Sequence, residues 1–207
     1  MTKKVSPKTC RGVLRGERLT NCSRDHCGRR YNAFTLIELI VVVSIIAVLA
    51  ALVLSTAGYA RKKGARARAE TEIAAMSAAC ENYKADNGVY PANSDTNALN
   101  AQTSVDPTAY QAASLYLYNA LFGATAGSRT PNTGARSYFV FKPNMLFPAD
   151  QTQTVQYIQD PFGSSYGYST IQAATQDTTK GYNPTFDLWS TASGTTSGDV
   201  PKWIKNW

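Results

Sequence analysis

Between Leu39 and Ala57 the chain is apolar apart from Ser44, Ser55 and Thr56, and it carries no charge there. A run of about 20 such residues is what a helix needs to cross the hydrocarbon core of a bilayer. Val41-Val42-Val43 and Ile45-Ile46 are mediocre helix formers in water, but a backbone in lipid must satisfy its own hydrogen bonds, and helix wins. Past this run the pattern changes to "RKKGARARAETEIAAMSAACENYKADNG", rich in Ala, Glu, Lys and Arg. Ile73, Met76, Cys80 and Tyr83 draw one apolar stripe at helical spacing, and Asn87-Gly88 is the expected stop. Phe34 to Asn87 is 54 residues, roughly 80 Å as one helix. Gly58 and Gly64 weaken it by about 1 kcal/mol each relative to Ala, which suits a bend where the helix leaves the bilayer. Cys80 belongs to the stripe and reads as a small buried hydrophobe.

After the helix comes a polar, Asn-rich connection, "GVYPANSDTNALN". Asp106-Pro107 then predicts a helix start, with Asp as cap and Pro at the first helical position. Tyr110, Ser114, Leu117, Tyr118 and Leu121 follow at helical spacing, and Gly123 ends a short surface helix. Residues 124–149, rich in Gly, Thr, Asn and Pro, read as loop with a strand near Tyr138 to Phe141. The C-terminal portion reads as β structure. Val155, Tyr157 and Ile158 precede an Asp160-Pro161 turn, Tyr166 and Tyr168 alternate after it, and "TFDLWS" is a further strand. The closing "GDVPKWIKNW" places two tryptophans over one end of the sheet. The predicted fold class is α+β: a long N-terminal helix, half membrane stem and half amphipathic, packed on a small antiparallel β-sheet head.

Charge sharpens this division. The 207 residues carry a formal net charge of +7. Nine basic residues against Glu17 and Asp25 before Phe34 account for all of it (9 − 2 = +7), leaving 12 basic and 12 acidic residues in the remainder. Basicity confined to one terminus argues against a nucleic-acid-binding surface on the body. Cys10, Cys22, Cys27 and His26 share that segment, but Cys-x11-Cys-x3-His-Cys lacks the paired knuckles of a zinc site. Without residues 1–33 only Cys80 is left, so no intramolecular disulfide can form.

The basic N-terminal segment favours a cytoplasmic N-terminus, with Arg61, Lys62, Lys63, Arg66 and Arg68 on the far side pulling the other way. A cleaved secretory signal is the competing reading, but its apolar part would span only about 7–15 residues. Glu38, near the cytoplasmic end of the span, costs on the order of a few kcal/mol unless it reaches water or a cation. It either snorkels to the interface or is paired, and a cut before Phe34 would supply a cation as the new α-amino group of a neighbouring subunit.

At these residues the chain resembles type IV pilin-like proteins. "AFTLIELIVVVSIIAVLAALV" is similar to their processing site and stem. The resemblance implies that a prepilin peptidase cuts between Ala33 and Phe34 and N-methylates Phe34, and that Glu38 sets filament register. The family's usual residue before the cut is Gly, where this chain has Ala33, and the leader is long. "DPFGSSYGY", "FDLWS" and Asn206-Trp207 further resemble the major pseudopilins of type II secretion systems, while residues 92–148 carry no assignable motif. That family holds calcium in the loop after the last strand, here "STASGTTSGDV". The resemblance makes Asp199 the later ligand and places Ser193 at the early position.

The division implied is a basic leader at 1–33, a transmembrane stem at 34–60, an amphipathic helix at 61–87 and a periplasmic head at 88–207. No base, nucleophile or phosphate loop marks an enzyme. The expected function is a structural subunit of a periplasmic pseudopilus in a type II secretion-like system, anchored once in the inner membrane before assembly. Its expected partners are copies of itself, the prepilin peptidase, an inner-membrane assembly platform and minor pseudopilins, with no nucleic acid. The alternatives are a subunit of an extracellular type IV pilus and an uncut, membrane-anchored receptor.

Overall fold

The computed structural model describes residues 35–207. Packing divides the chain into two units, Met1–Ala47 and Val48–Trp207. The first helix, α1 (Leu36–Asn87), contributes its opening turns to the first unit and continues unbroken through Gly58 and Gly64 in the second. It stops where the sequence predicts. The Gly88 N–H bonds the Lys84 carbonyl at 2.7 Å with Gly88 at φ 78°, a left-handed residue of the kind that closes helices.

Within the second unit, α1 turns Ala69, Ile73, Met76 and Cys80 into the core. Their spacing of four, three and four residues is one face of a helix. Its flank carries the i,i+4 ion pairs Arg66–Glu70 at 3.2 Å and Arg68–Glu72 at 2.6 Å. The polar connection after α1 contains a short helix, α2 (Ser94–Ala98), begun by a reciprocal cap between Asn93 and Thr96. A 3₁₀ turn, Pro107–Tyr110, leads into α3 (Gln111–Phe122), and Asp106 caps that turn by accepting from the Thr108 N–H at 2.9 Å. The face of α3 formed by Ala113, Ser114, Leu117, Tyr118 and Leu121 is buried. Gly123 ends it at φ 77°, and a Cβ there would lie 2.9 Å from the Arg136 carbonyl oxygen.

Two small antiparallel sheets complete the unit. Strand β1 (Leu146–Phe147) pairs with β2 (Tyr157–Ile158), Leu146 opposite Ile158. The three-stranded sheet has the order β3 (Gly167–Ser169), β4 (Asp187–Ser190), β5 (Ile204–Lys205). All four residues of β4 are buried. Gly167 faces Trp189 across the β3–β4 pair, and a Cβ on it would fall 2.2 Å from the indole.

Three buried acids hold the loops. Asp160 accepts from the Phe162 and Ser164 N–H groups at 3.0 and 2.8 Å and from the Ser190 hydroxyl, which pins the Asp160-Pro161 turn to β4. Asp187 accepts from the Tyr182 and Asn183 N–H groups at 2.9 and 2.8 Å. Burial pushes both carboxyls above their ordinary range, partly offset by these hydrogen bonds. Glu72 joins α1 to the sheet by accepting from the Tyr166 hydroxyl at 2.7 Å.

The expected strand at Tyr138 to Phe141 is not formed. The Tyr138 and Phe139 N–H groups both bond the Leu121 carbonyl at the end of α3, at 2.7 and 3.1 Å, so neither is free for a ladder. The aromatic residues that suggested a strand stack instead, Phe139 on Phe141 at 4.6 Å and Phe141 on Tyr118 at 5.1 Å. The C-terminus also differs. It forms β5 within the sheet, and Trp203 stacks on Trp189 at 6.1 Å in a cluster that includes Tyr110.

Candidate assembly surface

At the start of α1, residues Thr35 and Glu38 bond each other. The Thr35 hydroxyl accepts from the Glu38 N–H at 3.4 Å, while Glu38 Oε2 accepts from the Thr35 N–H at 2.9 Å and its hydroxyl at 2.7 Å. This reciprocal arrangement is a capping box, which partners N–H groups that the helix itself leaves unbonded. A carboxylate at this end also opposes the positive pole of the helix. Oxygen Oε1 of Glu38 accepts from no group among the described residues, and the side chain is open to solvent. The Thr-x-x-Glu spacing is the sequence signal for this cap, which adds a third role for Glu38 to the two expected of it, snorkelling to the interface and pairing with a neighbouring amine.

Every described side chain from Leu36 to Leu54 is exposed. Leu36, Val43, Leu49 and Leu54 are each more than half exposed. The one polar side chain described within the run, Ser44, returns its hydroxyl to the Val41 carbonyl at 2.8 Å. Among the described residues, this stretch presents lipid or another apolar helix with no unsatisfied hydroxyl. Length and composition make α1 the one candidate membrane span among the described residues. Ala33 and Phe34, the expected cut and methylation site, lie outside the described residues, as do Cys10, Cys22, Cys27 and His26.

Ser193 and Asp199 fall near each other, in the loop between β4 and β5. Ser193 has φ 70°, and Asp199 lies in the first half of a 3₁₀ turn, Ser197–Lys202. A Cβ on Gly194 would lie 2.5 Å from the Asp199 Cβ, so only glycine lets the loop close here. Asp199 accepts from the Thr196 hydroxyl at 2.6 Å and from Lys202 Nζ at 3.0 Å, and these two partners hold its carboxyl below the ordinary range. Calcium prefers six to eight oxygens. This loop brings one carboxylate, with an ammonium already against it, and no group of three potential ligand side chains occurs among the described residues. The arrangement fits a loop closed by its own hydrogen bonds better than it fits the ion.

The comparisons bear on the stem. Residues 28–54 match the prokaryotic N-terminal methylation motif. The chain is 36% identical over 86 residues to the type II secretion system core protein G of Pectobacterium carotovorum subsp. carotovorum, covering 41% of this chain and 55% of that protein. It is 40% identical over 63 residues to the protein of the same name from Vibrio cholerae serotype O1, covering 30% of this chain and 43% of the relative. The chain thus spans about half the length of the curated relatives it matches. No solved structure matches it. Both relatives are named as core proteins of type II secretion systems. With a match to the methylation motif over residues 28–54, a long exposed apolar helix and a small α+β head, the chain resembles pilin-like proteins of the pseudopilin kind.

Proposed function

We propose that the chain is the structural subunit of a periplasmic pseudopilus in a type II secretion-like system, cut between Ala33 and Phe34 and assembled helically through its apolar stem. The observation that carries this is the pairing of an exposed apolar stretch of helix, Leu36 to Leu54, with a carboxylate fixed at its first turn and half unpartnered. In the membrane the apolar side chains from Leu36 to Leu54 meet lipid. In a filament they meet neighbouring stems, and lipid contacts are exchanged for helix contacts at little cost. Glu38 then decides register. Its Oε2 secures the helix start, and its Oε1 is left for a second donor, which a cut before Phe34 provides as the methylated amine of a neighbouring subunit. An unpaired charge among packed apolar stems is far more costly than a paired one, so only the axial position that joins amine to carboxylate is stable. The expected partners remain the prepilin peptidase, an inner-membrane platform and minor pseudopilins, with the head in the periplasm.

Two substitutions separate the jobs of Glu38. Glu38→Gln leaves an amide able to serve the capping box but removes the charge. It is expected to insert normally and to fail in assembly. Thr35→Ala removes the cap and keeps the charge, and is expected to assemble with reduced yield. Normal filaments from Glu38→Gln would refute the register role. Intact mass of the membrane form reads processing directly, and a retained leader would sink the filament reading. Long surface fibres containing the chain would favour an extracellular pilus over a pseudopilus.

A further inference from the structure

Just past the apolar run, the second unit contains a groove of about 580 Å³ lined by Tyr59, Lys62, Lys63 and Arg66 of α1, by Phe162, and by Ala192, Ser193 and Lys202 of the β4–β5 loop. Four of these eight residues are cations. The acids near them are Asp199, 3.0 Å from Lys202, and Glu70, 3.2 Å from Arg66, which leaves a local excess of two positive charges (4 − 2). Neither Lys62 nor Lys63 has an acidic partner among the described residues. The groove is a built feature. Arg66 Nη1 donates to the Lys202 carbonyl at 2.8 Å and so ties α1 to the far wall. Phe162 is held by the turn that Asp160 anchors.

We propose that this groove seats the phosphodiester headgroup of an anionic glycerophospholipid, and so docks the head on the membrane from which the stem emerges. The inference rests on the reading that Leu39 to Ala57 spans the bilayer. Tyr59 lies two residues beyond that run, which is the depth at which aromatic side chains mark the interface and lipid phosphates sit. Lysine ammonium groups bind phosphate as point charges, and cations close to an anionic surface are attracted within a Debye length. An acidic protein segment would also suit the charge. Lipid is favoured because the groove opens where the chain leaves the hydrocarbon, so phosphate is always within reach. Lys62 and Lys63, which oppose the orientation favoured by the N-terminal basic segment, then gain a partner on their own side of the membrane.

The test uses the full chain in zwitterionic detergent micelles, with the head's melting read from near-ultraviolet circular dichroism of its buried tryptophans. Dioleoylphosphatidylglycerol, dioleoylphosphatidylcholine and inorganic phosphate are each titrated in. Phosphatidylglycerol is expected to raise the melting temperature, and the other two to leave it unchanged. The double variant Lys62→Gln, Lys63→Gln is expected to melt like the wild type without lipid. It should need about thirtyfold more phosphatidylglycerol for half the effect. No effect of phosphatidylglycerol, an equal effect on the double variant, or an equal effect of inorganic phosphate would each overturn the proposal. Alkaline extraction of wild-type membranes reads the stem separately. A chain that stays in the bilayer yet ignores phosphatidylglycerol refutes the groove alone, whereas a chain released by extraction refutes the spanning stem.

Discussion

Replacing Tyr166 with Phe removes one oxygen from the second unit and nothing else of consequence, since the ring is wholly buried and Phe fills the same space. The lost group is the hydroxyl that donates to Glu72 Oε2 at 2.7 Å, 94 residues away in sequence, and joins α1 to the sheet. Glu72 is itself buried and keeps only Arg68, at 2.6 Å on its other oxygen. A hydrogen bond to a buried charged group contributes about 1.5–3 kcal/mol. Taking about 2 kcal/mol, a chain of this size should melt about 4–8 °C lower. Thermal melts of the full chain in micelles, followed by near-ultraviolet circular dichroism, provide the measurement. A second readout follows from the phenol, which burial and then the neighbouring Glu72 push well above its usual value. The native state keeps that proton at alkaline pH while the unfolded chain loses it from about pH 10, so wild-type stability falls as pH rises there. Tyr166→Phe should lose that part of the slope. A variant with wild-type melting and an unchanged alkaline slope would refute the claim that this bond holds α1 to the sheet.

Gly167→Ala should be worse tolerated than its size suggests, because the new methyl would meet the Trp189 indole at 2.2 Å. Overpacking of this kind costs about 1–3 kcal/mol, and loss of the tryptophan near-ultraviolet signal at lowered temperature would report it. Alkaline stability has another contributor in Cys80, whose thiol is pushed by burial from 9.0 to about 12. The folded chain therefore holds a proton that the unfolded chain releases, and stability should decline from pH 9 upward, by on the order of 4 kcal/mol if the whole interval is spanned. Denaturant midpoints measured between pH 8 and 11 would show the decline, and a flat profile would contradict it. Calcium is expected to leave the melting temperature unchanged because Lys202 holds Asp199. A rise with calcium that Asp199→Asn abolishes would show instead that the ion displaces the lysine.

What could be read in the sequence was whatever has a long period or a local stop signal. The apolar run, the stripe through Ile73, Met76 and Cys80, the cap at Asp106 and the stop at Gly123 all lie where side-chain pattern and backbone preference agree. The strands were harder. They are two to four residues long, and β4 is buried on both faces, so no alternation of apolar and polar positions marks it. Aromatic content misled at Tyr138 to Phe141, where ring stacking rather than a β ladder uses the side chains. The assembly surface was half legible. Glu38 stands out as a charge beside an apolar run, whereas its partner Thr35 shows only in the Thr-x-x-Glu spacing of a helix start. The groove at Lys62 and Lys63 could not be found in sequence, since its walls come from α1 and from a loop 130 residues later.

Cys80 has a use that its burial creates. A chain cut before Phe34 holds no other thiol, and this one is fully shielded in the core. Folded subunits should therefore ignore maleimides and oxidants, so any labelling times the opening of the head. The same silence would make a chain so cut a blank background for engineered pairs. A cysteine placed on one stem and another on its neighbour would crosslink without competition, and the bands on a gel would map the rise and rotation from subunit to subunit.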